Sequence, residues 1–217
     1  MSKYEGNCFI CGKTAGRTAL KNHLLKEHNN GSEGCYLIRA ESVYRGSPFW
    51  LFFTASKTAL LEDVDRFLRA IWLECCGHLS EFTDGYEDDG YPMTTRLSKF
   101  EVGATLPYLY DFGSTTELLV TLWGETLRPK QGPRVIQLLA RNTPVETPCL
   151  ACKKPASYVD VASYDEGKAF CDSCYEKNDC DDDHYLLITN SPRSGECAYA
   201  GFGDKWTFDP SSEFPLF

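Results

Sequence analysis

Apolar and polar residues alternate most regularly over residues 107–125, which read PYLYDFGSTTELLVTLWGE. The alternation is aromatic in its first half and aliphatic in its second half, and a Gly-Ser pair lies between the two. A period of two on both sides of a turn signal predicts a β-hairpin. We expect Tyr110 and Phe112 to face the core and the Asp111 carboxylate to anchor the turn.

Further apolar runs predict strands at residues 36–38, 43–44, 48–53 and 135–140. The run 48–53 is apolar at consecutive positions, as expected of a central strand or one covered by a helix. Over residues 58–76 the apolar positions recur every three or four residues, which predicts one long amphipathic helix ended by Gly77. The predicted fold class is therefore α+β, with an antiparallel or mixed sheet covered by one long helix and flanked by two small zinc-binding modules.

The chain begins with a set of soft metal ligands. Cys8, Cys11, His23 and His28 have the spacing C-x2-C-x11-H-x4-H, which is one residue short of the usual zinc-finger pattern in the middle gap. A helix over residues 16–28 would bring the two histidines to nearly one face. The alternative is that the histidines are ordinary surface residues of an amphipathic helix.

A second set lies near the other end of the chain. Cys149, Cys152, Cys171 and Cys174 have the spacing C-x2-C-x18-C-x2-C, which fits a four-cysteine structural zinc site. The cofactor prediction is two zinc ions per chain. Cys180 and His184 lie near this set but are left out of it, since the two C-x2-C pairs already supply four ligands. The alternative is that Cys180 and His184 hold a further ion, which would need two more ligands.

Two other groups of residues are not predicted to bind metal. His78 and Glu81 are three residues apart, but Gly77 is expected to end the helix before them, so His78 is interpreted as a structural histidine. Cys75 and Cys76 are interpreted as small buried residues of the helix.

Part of the chain resembles a known family. The words YLYDFG and the helix that is followed by His-Leu resemble the plasmid ORF-3-like family, also described as transposon-passenger TnpR-like proteins. The resemblance covers residues 34–142, and the later words NSPR-x-G-x-C-x-Y resemble the ending of zinc-bearing relatives. It implies a fold and an association with mobile elements, but no activity. The chain departs from the family after the hairpin turn, where Ser114, Thr116 and Leu118 replace an acidic residue, a tryptophan and a histidine.

Charge bears on the choice of partner. The chain of 217 residues has a net charge of −9, yet residues 1–31 carry +3, which leaves −12 on the rest. An acidic body repels phosphate backbones, so any nucleic-acid contact is expected through residues 1–31. No signal peptide or membrane segment is expected, which predicts a cytoplasmic protein.

The predicted domains are a zinc finger at 1–31, an α+β domain at 32–145 and a four-cysteine module with its tail at 146–217. The tail is expected to dock through Trp206, Phe208, Phe214 and Phe217. No P-loop, dinucleotide fingerprint or nucleophile elbow is present, so the predicted function is a non-enzymatic, zinc-binding interaction protein with a protein partner. The alternative is an enzyme whose carboxylates come from residues 84–89 and Asp111.

Overall fold

The computed structural model describes residues 5–84, 90–130, 135–162, 168–177, 184–197 and 199–201, together with the backbone of 207–208. Its strands are β1 (Glu5–Cys8), β2 (Thr14–Gly16), β3 (Glu33–Ser42), β4 (Trp50–Ser56), β5 (Ser80–Phe82), β6 (Thr105–Tyr110), β7 (Thr116–Arg128), β8 (Ile136–Asn142), β9 (Tyr158–Asp160), β10 (Ala169–Phe170), β11 (Tyr185–Leu187) and β12 (Thr207–Phe208). Its helices are α1 (Arg17–Glu27), α2 (Leu61–Leu68) and α3 (Asp172–Lys177), with a π-helical turn at Arg69–Leu73 and a 3-10 turn at Leu97–Lys99.

The main sheet is antiparallel throughout. Its strand order is β2-β1-β8-β4-β3-β7-β6-β5, and β12 also pairs with β8. The strands β9, β10 and β11 form a second, three-stranded sheet in the order β10-β9-β11. The predicted hairpin is confirmed, because β6 and β7 are paired from Thr105 with Thr121 to Tyr110 with Thr116.

Strand β4 is buried on both faces, as its apolar run predicts. Leu51 and Phe53 point into the larger core cluster, beneath α2, whereas Trp50 and Phe52 point into a second cluster, beneath α1. Since successive side chains of a strand point to opposite faces, one apolar strand serves two cores. The sheet is therefore covered by a helix on each face.

The predicted fold class is wrong. The described residues form mostly antiparallel sheet with three short helices, and no long helix covers the sheet. The helix predicted over 58–76 begins at Leu61, because the backbone of Leu60 is extended and bridges to Arg96. It ends at Leu73 after the π-helical turn, since Glu74 is extended. Gly77 lies farther along, in a left-handed turn with φ 85°.

Short strands that the sequence did not predict explain why the sheet is larger than expected. β1, β2 and β5 have three or four residues each and are held by their pairing with neighbouring strands. Strands so short have little periodicity of their own, and non-local pairing decides their structure. In particular, β1 pairs with β8, so the segment that precedes α1 extends the main sheet.

The prediction for Phe112 is also wrong. Asp111 adopts a left-handed conformation with φ 64°, and its Oδ1 accepts the backbone N–H of Gly113 at 2.9 Å. The turn therefore begins directly after Tyr110, which is buried, and Phe112 is left 53% exposed in the turn. The prediction that Asp111 anchors the turn is confirmed.

No helix among the described residues is long and apolar enough to cross a membrane.

Candidate metal centres

Three groups of cysteine and histidine side chains converge in the described residues. In each group the four ligand atoms lie within 4.8 Å of one another. The N-terminal group is Cys8, Cys11, His23 and His28; the C-terminal group is Cys149, Cys152, Cys171 and Cys174; and the bridging group is Cys75, Cys76, His78 and Cys197. Such groups can hold metal ions, and their thiolate and imidazole ligands are compatible with zinc.

The distances within the groups match the edges of a small tetrahedron. Zinc bonds of about 2.3 Å to sulfur and 2.0–2.1 Å to nitrogen imply tetrahedral edges of about 3.8 Å between two sulfurs and about 3.3 Å between two nitrogens. The Sγ atoms of Cys152 and Cys171 are 3.6 Å apart, and those of Cys75 and Cys76 are 3.8 Å apart. The Nε2 atoms of His23 and His28 are separated by 3.1 Å.

The N-terminal and C-terminal groups share one turn geometry around their first C-x2-C pair. The backbone N–H of Cys8 donates to the Lys13 carbonyl at 2.8 Å, and that of Cys149 donates to the Lys154 carbonyl at 2.7 Å. The residue four positions after each first cysteine donates back to it, and this residue has a positive φ in both turns: Gly12 at 76° and Lys153 at 64°. Backbone N–H groups of such a turn face the first sulfur and favour its thiolate. Burial outweighs them at Cys8, whose pKa is raised, whereas they prevail at Cys149, whose pKa is lowered.

In the N-terminal group the histidines come from α1. His23 lies within the helix and His28 caps its end, with its backbone N–H donating to the Leu24 carbonyl at 3.1 Å. The helix predicted over 16–28 is therefore confirmed, and both ring Nε2 atoms face the cysteine turn. Cys11 Sγ lies 3.1 Å from His23 Nε2.

In the C-terminal group the second C-x2-C pair surrounds the start of α3. The backbone N–H of Cys174 donates to the Cys171 carbonyl at 3.0 Å. Backbone N–H groups, first that of Cys171 and then those of Cys152 and Ala151, lower the pKa of Cys149 to about 6. Hydrogen bonds with the Cys152 and Cys171 thiols raise the pKa of Cys174 to about 12. One sulfur of the group thus ionises readily, while crowding by other sulfurs opposes further ionisation until a cation balances the charge.

The bridging group joins two distant parts of the chain. Cys75, Cys76 and His78 lie in the turn between the π-helical turn and β5, and Cys197 lies 119 residues beyond His78. Cys76 Sγ is 3.7 Å from Cys197 Sγ and 3.0 Å from His78 Nε2. Hydrogen bonding, first with the Cys197 thiol and also with the Cys75 thiol, raises the pKa of Cys76 to about 12.

A buried polar network lies directly behind the bridging group. Asp111 receives the guanidinium of Arg193, whose side chain is fully buried, and its Oδ1 is 3.4 Å from His78 Nδ1. The backbone N–H of Gly113, followed by the Arg193 side chain, lowers the pKa of Asp111 to about 2. The Arg193 side chain also donates to the Ser114 carbonyl at 2.9 Å and to Thr116 Oγ1 at 3.1 Å.

Sequence reasoning missed the bridging group. The interpretation of Cys75 and Cys76 as buried residues is wrong for Cys76, which is exposed, while Cys75 is half-buried. The available signal was the sequence Cys-Cys-x-His at 75–78, which holds three soft ligands within four residues. Its fourth member, Cys197, could not be assigned because it is remote in sequence.

Several other predictions fall on residues outside these groups or outside the described structure. His184 is exposed and belongs to none of the three groups, and Cys180 lies outside the described residues. The described residues also exclude 85–89 of the acidic loop and Trp206, Phe214 and Phe217 of the tail. The backbone of Phe208 pairs with Ile136 in the main sheet.

Comparisons with known proteins do not identify the chain. No family model matches it, so the resemblance to the plasmid ORF-3-like family is unsupported by that comparison. No curated protein matches it either. Among solved structures it is similar to a protein of unknown function, MM3350, from Methanosarcina mazei Go1, with a TM-score of 0.39 and 23% identity. The match covers 46% of this chain and 65% of that protein, just under two thirds of its length, and it carries no argument about function.

Proposed function

We propose that this protein is a non-enzymatic, zinc-binding interaction protein. Two zinc ions are held by the N-terminal and C-terminal groups, with ligands Cys8, Cys11, His23, His28, Cys149, Cys152, Cys171 and Cys174. Both ions are structural. The protein acts by binding another protein.

The convergence of four protein ligands in each group carries this proposal. In each set the four ligand atoms lie within 4.8 Å of one another, and four protein ligands would complete the tetrahedron that zinc prefers, leaving no position for water or substrate. Closed sites of this kind stabilise a fold, whereas catalytic zinc sites keep one position open.

The carboxylate chemistry of the alternative enzyme has little support. Asp111 accepts hydrogen bonds from Gly113 and Arg193, so it is occupied as a structural anchor. A cavity of about 140 Å³ beside His28 and Leu24 has no carboxylate among the described residues that line it. A more open groove of about 460 Å³ contains Glu41, which is paired with both Arg17 and Arg39.

X-ray absorption at the zinc edge tests the closed-site proposal. One site of two cysteines and two histidines and one site of four cysteines together give an average of three sulfurs and one nitrogen per zinc. We expect this average, with zinc–sulfur distances of about 2.3 Å. A zinc ion added in the bridging group, with three cysteines and one histidine, would leave this average unchanged. More than one light-atom ligand (nitrogen or oxygen) per zinc, or an average coordination number above four, would contradict the proposal.

We further propose that residues 1–31 make only weak, salt-sensitive contacts with nucleic acid. Two of the basic side chains in this segment are engaged by the main sheet, since Arg17 pairs with Glu41 and the Lys21 ammonium lies 4.2 Å from the centre of the Trp123 ring. Lys13 and Lys26 are exposed, and although Lys26 pairs with Glu27 at 3.6 Å, an exposed pair of this kind is weak and can give way to a phosphate contact. Residues 32–217 are acidic and oppose binding, which favours a protein as their partner.

Fluorescence anisotropy with a DNA duplex across a salt series tests this contact. Each phosphate contact contributes about −0.9 to the slope of log K against log salt, so Lys13→Gln combined with Lys26→Gln should flatten the slope by about two units. The matched control is Lys153→Gln combined with Lys154→Gln, an equal loss of charge elsewhere, which should leave the slope unchanged. Nanomolar binding at physiological salt that survives the first pair of substitutions would refute the proposal.

A further inference from the structure

The turn at residues 75–78 presents three ligands on one side because of its backbone geometry. The chain leaves the π-helical turn at Glu74, whose Oε1 accepts the backbone N–H of Gly77, and Gly77 itself is left-handed. Cys76 and His78 lie on either side of Gly77, and this turn brings Cys76 Sγ to within 3.0 Å of His78 Nε2. A residue with a side chain would be strained at this glycine, so the turn depends on it.

Cys197 enters the group in a backbone conformation that is unusual for its type. Its φ is 50°, in the left-handed region that cysteine seldom adopts, and it follows the left-handed Gly195 by two residues. Left-handed residues other than glycine persist where surrounding interactions hold them in place, and they are common at ligand sites. The consequence is a Cys197 Sγ that lies 3.7 Å from both Cys76 Sγ and His78 Nε2.

From this geometry we propose that Cys75, Cys76, His78 and Cys197 form a third zinc site, which fastens the segment 184–197 to the main sheet. The proposal goes beyond the two ions of the proposed function, because none of these residues is among their eight ligands. Three thiolates and one imidazole form a standard ligand set of structural zinc.

The surroundings of His78 support a metal site. Its Nε2 atom faces the sulfurs, while its Nδ1 atom faces Asp111 Oδ1 at 3.4 Å. Histidines that bind metal almost always turn their second nitrogen to a carboxylate or carbonyl group, which fixes the tautomer and the ring orientation. Asp111 is in turn held by the fully buried Arg193, four residues before Cys197.

Neighbouring donors also compensate the negative charge of the sulfurs. Arg193 Nη2 lies 3.7 Å from Cys75 Sγ, and the Tyr110 hydroxyl lies 3.9 Å from the same sulfur. A buried guanidinium at this position stabilises a thiolate. The site thus has four ligands, and the residues around it orient the histidine and favour the thiolate form of the cysteines that a cation would bind.

The position of the site indicates its role. The same C-terminal segment is attached to the sheet domain by the Ser191 hydroxyl, which donates to the Trp72 carbonyl at 2.6 Å, and by Asn190, which accepts from Asn142 at 2.6 Å. A zinc ion bound by Cys197 would add a third attachment between this segment and the sheet domain. A disulfide is the competing use of these cysteines, but the sulfurs are 3.7 and 3.8 Å apart, whereas a disulfide bond is about 2.05 Å long.

Counting zinc in a ligand variant tests the third site. Cys197→Ser should hold one zinc ion fewer per chain than the unmodified protein. Cys35→Ala is the matched control, since it removes a cysteine that belongs to no group, and it should hold as many ions as the unmodified protein. The comparison reads only the difference between variants, so it stands whether or not the other two sites bind zinc. Equal zinc content in Cys197→Ser and the unmodified protein would overturn the proposal.

Thiol labelling of the unmodified protein gives a second test that needs no variant. Cys76 and Cys197 are exposed, so removal of the metal should leave both sulfurs accessible to N-ethylmaleimide. With zinc bound we expect both to react at least tenfold more slowly than after treatment with a chelator. Fast labelling that a chelator does not change, or recovery of a disulfide between these cysteines, would overturn the proposal.

Discussion

The N-terminal and C-terminal groups have nearly the same cysteine turn but very different support. Behind the N-terminal group, α1 packs Leu20 and Leu24 against Trp50 and Phe52 in a cluster on the main sheet. Among the described residues of 146–187, the buried hydrophobic residues are Cys149, Ala169 and Phe170. The same ligand geometry is therefore backed by an apolar core in one place and by a small three-stranded sheet in the other.

This difference indicates where metal contributes most to folding. Where apolar burial is small, a structural zinc ion supplies most of the stabilisation, as in small zinc-binding domains. Where a helix is already packed on a sheet, the loss of the ion leaves most of the burial intact. We expect the C-terminal group to depend on zinc more strongly than the N-terminal group.

The largest expected effect is local unfolding around the C-terminal group. Cys171→Ser should abolish measurable hydrogen-exchange protection in β9, β10 and β11, because zinc binding contributes about 10 kcal/mol or more in small domains and little apolar burial replaces it here. Protection in β3 and β4 should persist. If β9 to β11 kept their protection without zinc at this group, the comparison between the two groups would be wrong.

Truncation of the apolar support beneath α1 should have the next largest effect. Leu24 is 2% exposed, and Leu24→Ala should lower the free energy of unfolding by about 2–5 kcal/mol through lost burial and a cavity. Urea denaturation measures this change, with Thr18→Ala on the exposed face of α1 as the control. Zinc content should stay the same. A cost below about 0.5 kcal/mol would show that the packing of α1 contributes little.

Loss of metal from the N-terminal group should cost less than Leu24→Ala. Cys11 is exposed, so Cys11→Ser removes a ligand without opening a cavity. We expect it to release one zinc ion and to lower hydrogen-exchange protection in α1 by about tenfold, or about 1.4 kcal/mol. Complete loss of protection in α1 would mean that the metal, rather than the apolar cluster, holds the helix.

Phe112→Ala should have the smallest effect of these substitutions on the free energy of unfolding. Since Phe112 is 53% exposed in the hairpin turn, its truncation should change the free energy of unfolding by no more than about 0.5 kcal/mol. Urea denaturation on the same protein preparation as Leu24→Ala measures both. A cost comparable with that of Leu24→Ala would place Phe112 in a core.

Features that depend on residues close together in the sequence could be predicted from it. The two C-x2-C sets were readable because their ligands follow fixed spacings, and the hairpin was readable because its alternation has a period of two. The exposure of Phe112 was not readable, because it follows from the left-handed conformation of Asp111. The late start and the early end of the helical segment were not readable either, since they depend on pairing with Arg96 and on the π-helical turn.

The bridging group could not be assembled from sequence for a different reason. Three of its ligands are adjacent, but the fourth is brought in by the fold, through the contacts of Ser191 and Arg193 with residues more than 75 positions earlier. Short spacing rules do not extend to such distances. A cluster such as Cys-Cys-x-His can therefore indicate an incomplete ligand set whose remaining member is elsewhere in the chain.

The most direct test of the account is the mass of the intact protein under native conditions, after purification without chelator. Three closed groups predict a dominant species with three zinc ions per chain, and the denatured protein should have the mass of the chain with all its cysteines reduced. A dominant native species with fewer than three ions, or a denatured mass that reveals disulfides, would contradict the account.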